Sequence, residues 1–201
     1  MGRVSELVAL IARADTKYGY AAGLALAKEG ACLALTGSNR SAIMDASSQI
    51  AAETGADTDC SFHDITNEES WKQVVDNCLN RYGKVDILVN GPPDEIRTRI
   101  TETGLSDLQK LEEINIVGPW LGCKYVIGAM KRNGRGGAIV NISSSAARLA
   151  LPDTAINSAC AAGIRVMTQA IVLECGEQDI RIRTNSVLIG SDTVKATEVG
   201  E

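Results

Sequence analysis

An α/β fold, a doubly wound parallel sheet of about six strands with helices on both faces, is what three observations on this chain predict. Strand-like apolar runs alternate with helical patterns from one end to the other, as in parallel strands joined by crossover helices. The length of 201 residues suits one domain with a substantial core. No linker, repeat or low-complexity tract divides it, so 1–201 reads as a single domain.

Residues 7–12 read as a first buried strand, 19–28 as a helix, and Glu29-Gly30 as the turn into a second strand at 31–36. A helix at 41–54 follows, and 60–62 closes a third strand before Asp64. Thr66 and Glu69 have capping-box spacing, and Trp71, Val74, Val75, Cys78, Leu79 and Tyr82 form one apolar stripe behind them. Residues 85–90 are the fourth strand, and Pro92-Pro93 forbids a helix directly after it. Ser106 and Gln109 repeat the capping-box spacing and open a long helix toward Arg132, with a kink or break expected at Gly118-Pro119. A glycine-rich turn at 133–137, a fifth strand at 138–142, a helix at 155–175 and a sixth strand at 182–188 complete the pattern.

Hydrophobic content of 45% with 22% charged residues describes a soluble globular protein. The formal charge of -5, with basic residues scattered singly, gives no electrostatic drive toward nucleic acid or anionic lipid. The six cysteines are widely spaced in apolar stretches without a CxxC pair, and His63 is the one histidine. They read as reduced core thiols, with no metal site of standard spacing. Nothing at the N-terminus has the pattern of a signal peptide, so a cytoplasmic chain is expected.

The stretch 139–163 is built like an active site. A strand ends in Ser143, Ser144 and Ser145, an irregular connection follows, and then comes a helix rich in small residues. Where a strand-loop-helix enzyme would place its acid or base, the helix offers Asn157 and, one turn later, Ala161. Neither side chain titrates near neutral pH, so neither passes a proton. The first strand runs into Ala12-Arg13-Ala14-Asp15-Thr16-Lys17-Tyr18-Gly19, where a dinucleotide-binding turn would carry more glycine.

This segment resembles the catalytic stretch of the short-chain dehydrogenase/reductase (SDR) family, and the whole chain from Val8 to Gly190 resembles its Rossmann-like domain. The resemblance puts the family's serine on Ser144, its tyrosine on Asn157 and its lysine on Ala161. A shifted register does not restore the pair, because the last tyrosine is Tyr125 and no lysine lies between Lys131 and Lys195. Of the family's TGxxxGxG pattern only Gly19 is matched. Asp64-Ile65 resembles the pair that contacts the adenine ring, Asn90 the first residue of NNAG, and Asn115 the helix asparagine of the proton relay. Eleven residues follow Gly190, too few for both the family's substrate lid and its seventh strand, so a C-terminally shortened member is expected.

With Asn115, Ser144, Asn157 and Ala161 as catalytic remnants and Gly19, Asp64, Ile65 and Asn90 as cofactor-site remnants, the resemblance implies a catalytically inactive homologue. Such a chain would bind no cofactor itself and would serve as an assembly subunit for an active paralogue that carries NAD(P). Heterodimer or heterotetramer contacts would run through helices near 106–132 and 155–175, as the family pairs them. A two-subunit dehydrogenase for acyl-CoA derivatives, such as hydroxybenzylsuccinyl-CoA, is one setting for that role. The alternatives are an NAD(P)-dependent oxidoreductase with an atypical site, using Ser144 and Asn157 with substrate or water as the proton source, and a nucleotide or CoA sensor.

Overall fold

Six parallel strands in the order β3-β2-β1-β4-β5-β6 form the sheet of the computed structural model, which describes residues 2–190. They are β1 (Val8–Ile11), β2 (Cys32–Gly37), β3 (Thr58–Phe62), β4 (Ile87–Asn90), β5 (Gly137–Ser144) and β6 (Ile182–Ile189). The helices are α1 (Lys17–Lys28), α2 (Arg40–Thr54), α3 (Glu68–Tyr82), α4 (Leu105–Glu112), α5 (Gly118–Asn133) and α6 (Ala155–Glu177). The doubly wound α/β architecture expected from the sequence is the one found.

Strand β1 is buried along its length because neighbours and helices enclose it. Successive side chains point to opposite faces, so Val8 and Leu10 join one core while Ala9 and Ile11 join the other. The first core brings in Trp71, Val74, Val75 and Cys78 of α3 and Leu121, Cys123 and Val126 of α5. The second brings in Ala27 of α1 and Ile50 of α2. Strand β1 pairs with both β2 and β4, so the direction of winding reverses there. That reversal opens a crevice beyond the carboxyl ends of β1 and β4.

Local chemistry sets the ends of the helices. Asn67, not Thr66, caps α3, its side chain accepting from the Ser70 amide, while the Thr66 hydroxyl is drawn to Asp64 at 2.8 Å. Helix α4 starts one residue before Ser106, and the Asp107 carboxylate accepts from the Gly104 amide at 3.3 Å. The break expected at Gly118-Pro119 is a π-helical turn, Glu113–Val117, between α4 and α5. Pro119 lacks the N–H that would bond back to Asn115, and the widened turn absorbs that loss. Helix α6 has the length and hydropathy of a membrane crossing, but its Cys160, Ala161, Ile164, Thr168 and Cys175 are buried in this fold.

Candidate active site

The turn after β1 is the first wall of the crevice. Its backbone is pinned by Ala12 N–H donating to Val89 O at 2.9 Å and Ala14 N–H donating to Thr36 O at 2.8 Å. Between them Arg13 sits at φ +58°, a conformation that glycine adopts freely and other residues seldom do. The chain therefore makes its tight turn without a glycine at 13. Thr16 caps α1, its hydroxyl donating to Arg13 O at 2.6 Å and accepting from Gly19 N–H at 3.2 Å. Gly19 is required here, since a Cβ would collide with the Arg13 carbonyl.

The second wall is the loop at 91–104 that follows β4. Gly91 passes so close to Ala12 that a Cβ would strike its carbonyl. The Arg13 guanidinium then turns to this loop, donating to Pro92 O at 2.6 Å and pairing with Asp94. Asn115 clasps Asp94 from the π-helical turn, accepting from its N–H and donating to its C=O, both at 2.8 Å. Asn157 clasps Ile96 in the same way, at 3.2 and 2.6 Å. Between these clasps the Ser144 hydroxyl donates to Glu95 Oε1 at 2.8 Å.

Three of the positions singled out from the sequence thus converge on three consecutive loop residues. Ala161 lies beside them, buried, with its carbonyl accepting from the Ser143 hydroxyl at 3.4 Å. Asn90 points into the core instead. Its amide donates to Asn141 Oδ1 at 2.7 Å, and Asn141 donates to the Thr168 hydroxyl at 2.9 Å, a buried polar chain that ties β4, β5 and α6 together. Asp64 accepts from the Thr66 amide and hydroxyl, and Ile65 packs over Gly118. The expectations about a lid, a seventh strand and Lys195 lie outside the described residues.

A cavity of about 360 Å³ runs across this end of the sheet, lined by Arg13, Thr16, Lys17, Tyr18, Asp94 and Glu95 among others. The N-terminus of α1 opens into this cavity and its dipole favours an anion, while the Arg13 guanidinium is taken by Pro92 O and Asp94 and the Asp94 and Glu95 carboxylates line the same space. The turn keeps its backbone close to α1, and a pyrophosphate seated here would draw the Arg13 guanidinium from Asp94. A smaller cavity of about 20 Å³ lies deeper, between Asn115, Ser143, Cys160 and Ala161. Burial pushes the Cys160 thiol up, so it is no thiolate nucleophile.

Beside the crevice, His63 is buried and its Nδ1 pairs with the Thr36 hydroxyl at 2.8 Å. Its ring meets Trp71 edge to face at 4.2 Å. Desolvation lowers its pKa to about 4, against a small opposing effect of Asp64.

The short chain dehydrogenase family model matches residues 7–198. The chain belongs to the short-chain dehydrogenase/reductase family. It is 31% identical over 185 residues to 3-beta-hydroxysteroid dehydrogenase of Comamonas testosteroni, covering 92% of this chain and 70% of that one. It is also 31% identical over 194 residues to trans-4-hydroxycyclohexanecarboxylate dehydrogenase of Sinomonas cyclohexanicum, covering 94% and 73%. Among solved structures, NAD+-bound xylitol dehydrogenase superposes with a TM-score of 0.88 at 27% identity, over 94% of this chain and 71% of that one.

These findings correct two expectations. An SDR chain that is no enzyme by itself is overturned by its relatives, which are dehydrogenases; neither relative's name describes a silent subunit or an acyl-CoA substrate. A chain that binds no cofactor is overturned by the NAD+-bound structure of the same fold. The physical reasons are in the crevice. Arg13 adopts the conformation left vacant by glycine and turns its side chain toward Asp94, so the missing glycines do not close the turn. Helix α6 offers no titratable group at 157 or 161, whereas the loop after β4 brings Glu95 to Ser144. A sequence signal for it existed: Pro92-Pro93 stiffens the exit of a central strand and Asp94-Glu95 follows at once, at the place where such sheets bind ligands.

Proposed function

We propose that this chain is a nicotinamide-dependent oxidoreductase that interconverts a secondary alcohol and its ketone. The observation that carries the proposal is that the capped N-terminus of α1, with Arg13 and Lys17, opens into the same cavity as Glu95, the partner of Ser144. When bound, the nicotinamide dinucleotide supplies the acceptor for the hydrogen and electron pair of the carbinol carbon.

The N-terminus of α1 would hold the pyrophosphate, with Arg13 turning to it from Asp94, and Asp64 and Ile65 would lie toward the adenine, the assignment drawn from the family resemblance. The clasps made by Asn115 and Asn157 fix the loop that roofs the cavity, so its polar groups are held before any substrate arrives. The relatives are named for ring-borne alcohols, which makes trans-4-hydroxycyclohexanecarboxylate and a 3β-hydroxysteroid the first probes. Each should drive the appearance of reduced nicotinamide absorbance, and no turnover of either with NAD or NADP would count against this substrate class.

We further propose association with a second SDR chain, an identical copy or a paralogue, through α5 and α6, where Trp120, Val166, Val172 and Leu173 are exposed apolar side chains. A cytoplasmic setting is part of the proposal, supported by cysteines that are all unpaired.

A further inference from the structure

We propose that Glu95 is the proton-transfer residue of the cavity, taking the hydroxyl proton of the alcohol and returning it to the carbonyl oxygen in the reverse direction. The proposal rests on the dehydrogenase function proposed above. In the oxidative direction the alcohol O–H bond breaks with its proton passing to the Glu95 carboxylate. The carbinol C–H bond breaks with its electron pair and hydrogen passing to the oxidised nicotinamide, and the C=O bond forms. Glu95 then releases the proton to solvent.

Geometry selects Glu95 over its neighbours. It lines the cavity, whereas the amides of Asn115 and Asn157 are spent on the backbone of Asp94 and Ile96. Asp94 faces Arg13, and it is Glu95 that meets Ser144. His63 is buried, its Nδ1 held by Thr36. Among the described residues, the charged groups that line the cavity with Glu95 are Arg13 and Asp94 from the two loops and Lys17 from α1.

The carboxylate is also aimed. The Ala146 amide donates to Ser144 Oγ at 3.3 Å, which directs the serine proton to Glu95 Oε1 at 2.8 Å. A carboxylate accepts at both oxygens, so Oε2 remains to receive a substrate hydroxyl. Ser144 is then a positioning residue, the third member of a substrate, base and orienter series. The main chain on either side of the exposed Glu95 is clasped, which fixes its place in the loop.

The test compares wild type with Glu95→Gln, which keeps an oxygen for Ser144 but cannot take a proton. Calorimetry should give the variant an NAD or NADP affinity within about threefold of wild type, while kcat falls by about 10²- to 10⁴-fold, the range of general acid–base catalysis. The pH-dependent limb of kcat should vanish in Glu95→Gln and survive in Glu95→Asp, which retains the carboxylate; this last comparison also serves if Glu95→Gln fails to fold. Wild-type turnover with an unchanged limb in Glu95→Gln overturns the role of Glu95 alone. Faster turnover in Glu95→Gln overturns it as well and makes the loop a plug. A wild type that neither binds cofactor nor turns over alcohol overturns the dehydrogenase proposal itself.

Discussion

Asn157 and Arg13 show how a position can lose its expected residue and keep its place in the site. Asn157→Ala leaves the Ile96 N–H and C=O without their partner, and an unpaired polar group in a part-buried setting costs about 1–3 kcal/mol. Urea unfolding should report that loss, and an unchanged midpoint would show that the clasp contributes nothing. Arg13→Ala keeps the left-handed backbone but deletes the cation beside the α1 terminus. A lost charge-assisted contact of about 1.5–3 kcal/mol predicts roughly 10- to 100-fold weaker binding of NAD or NADP, measured by calorimetry. Ser144 and Asn157 were legible in the sequence as positions but not in their partners. Which loop residue meets them depends on a chain segment some fifty residues away, and no local pattern encodes that distance.

Among elements, the order of strands and helices was legible because β1 and β4 are buried apolar runs and α3 carries a clean apolar stripe. Caps were less so: Thr66 and Asn67 are both good capping residues, and the Asp64 carboxylate decides between them by taking the Thr66 hydroxyl. The end of β3 carries a pH prediction. His63 stays neutral in the fold down to about pH 4 but protonates near 6.5 when unfolded, so the unfolded chain binds the extra proton between those values. Stability is therefore full above pH 6.5 and falls as pH drops toward 4, by about 3 kcal/mol at most. Unfolding followed across that window in wild type and His63→Phe should show a shallower slope in the variant. Parallel slopes would mean that another group drives the acid loss.

At the scale of the molecule, the reversal of winding at β1 places the crevice, and the loop after β4 closes over it. Fold class and the position of the crevice followed from the sequence because topology alone locates such a site. Its chemical content did not, since the carboxylate that meets Ser144 comes from a loop 49 residues earlier in the chain. Association through α5 and α6 belongs to this scale too. Sedimentation should show a dimer or larger species that Trp120→Glu with Leu173→Glu dissociates, whereas a monomeric wild type mixed with no partner would restrict the proposal to pairing with a paralogue. The central claim is that this chain itself holds a nicotinamide dinucleotide beside Arg13 and Glu95. Calorimetric titration of the purified chain with NAD(H) and NADP(H) tests it most directly: saturable binding at one site per chain is the expected result, and silence with all four dinucleotides would contradict it.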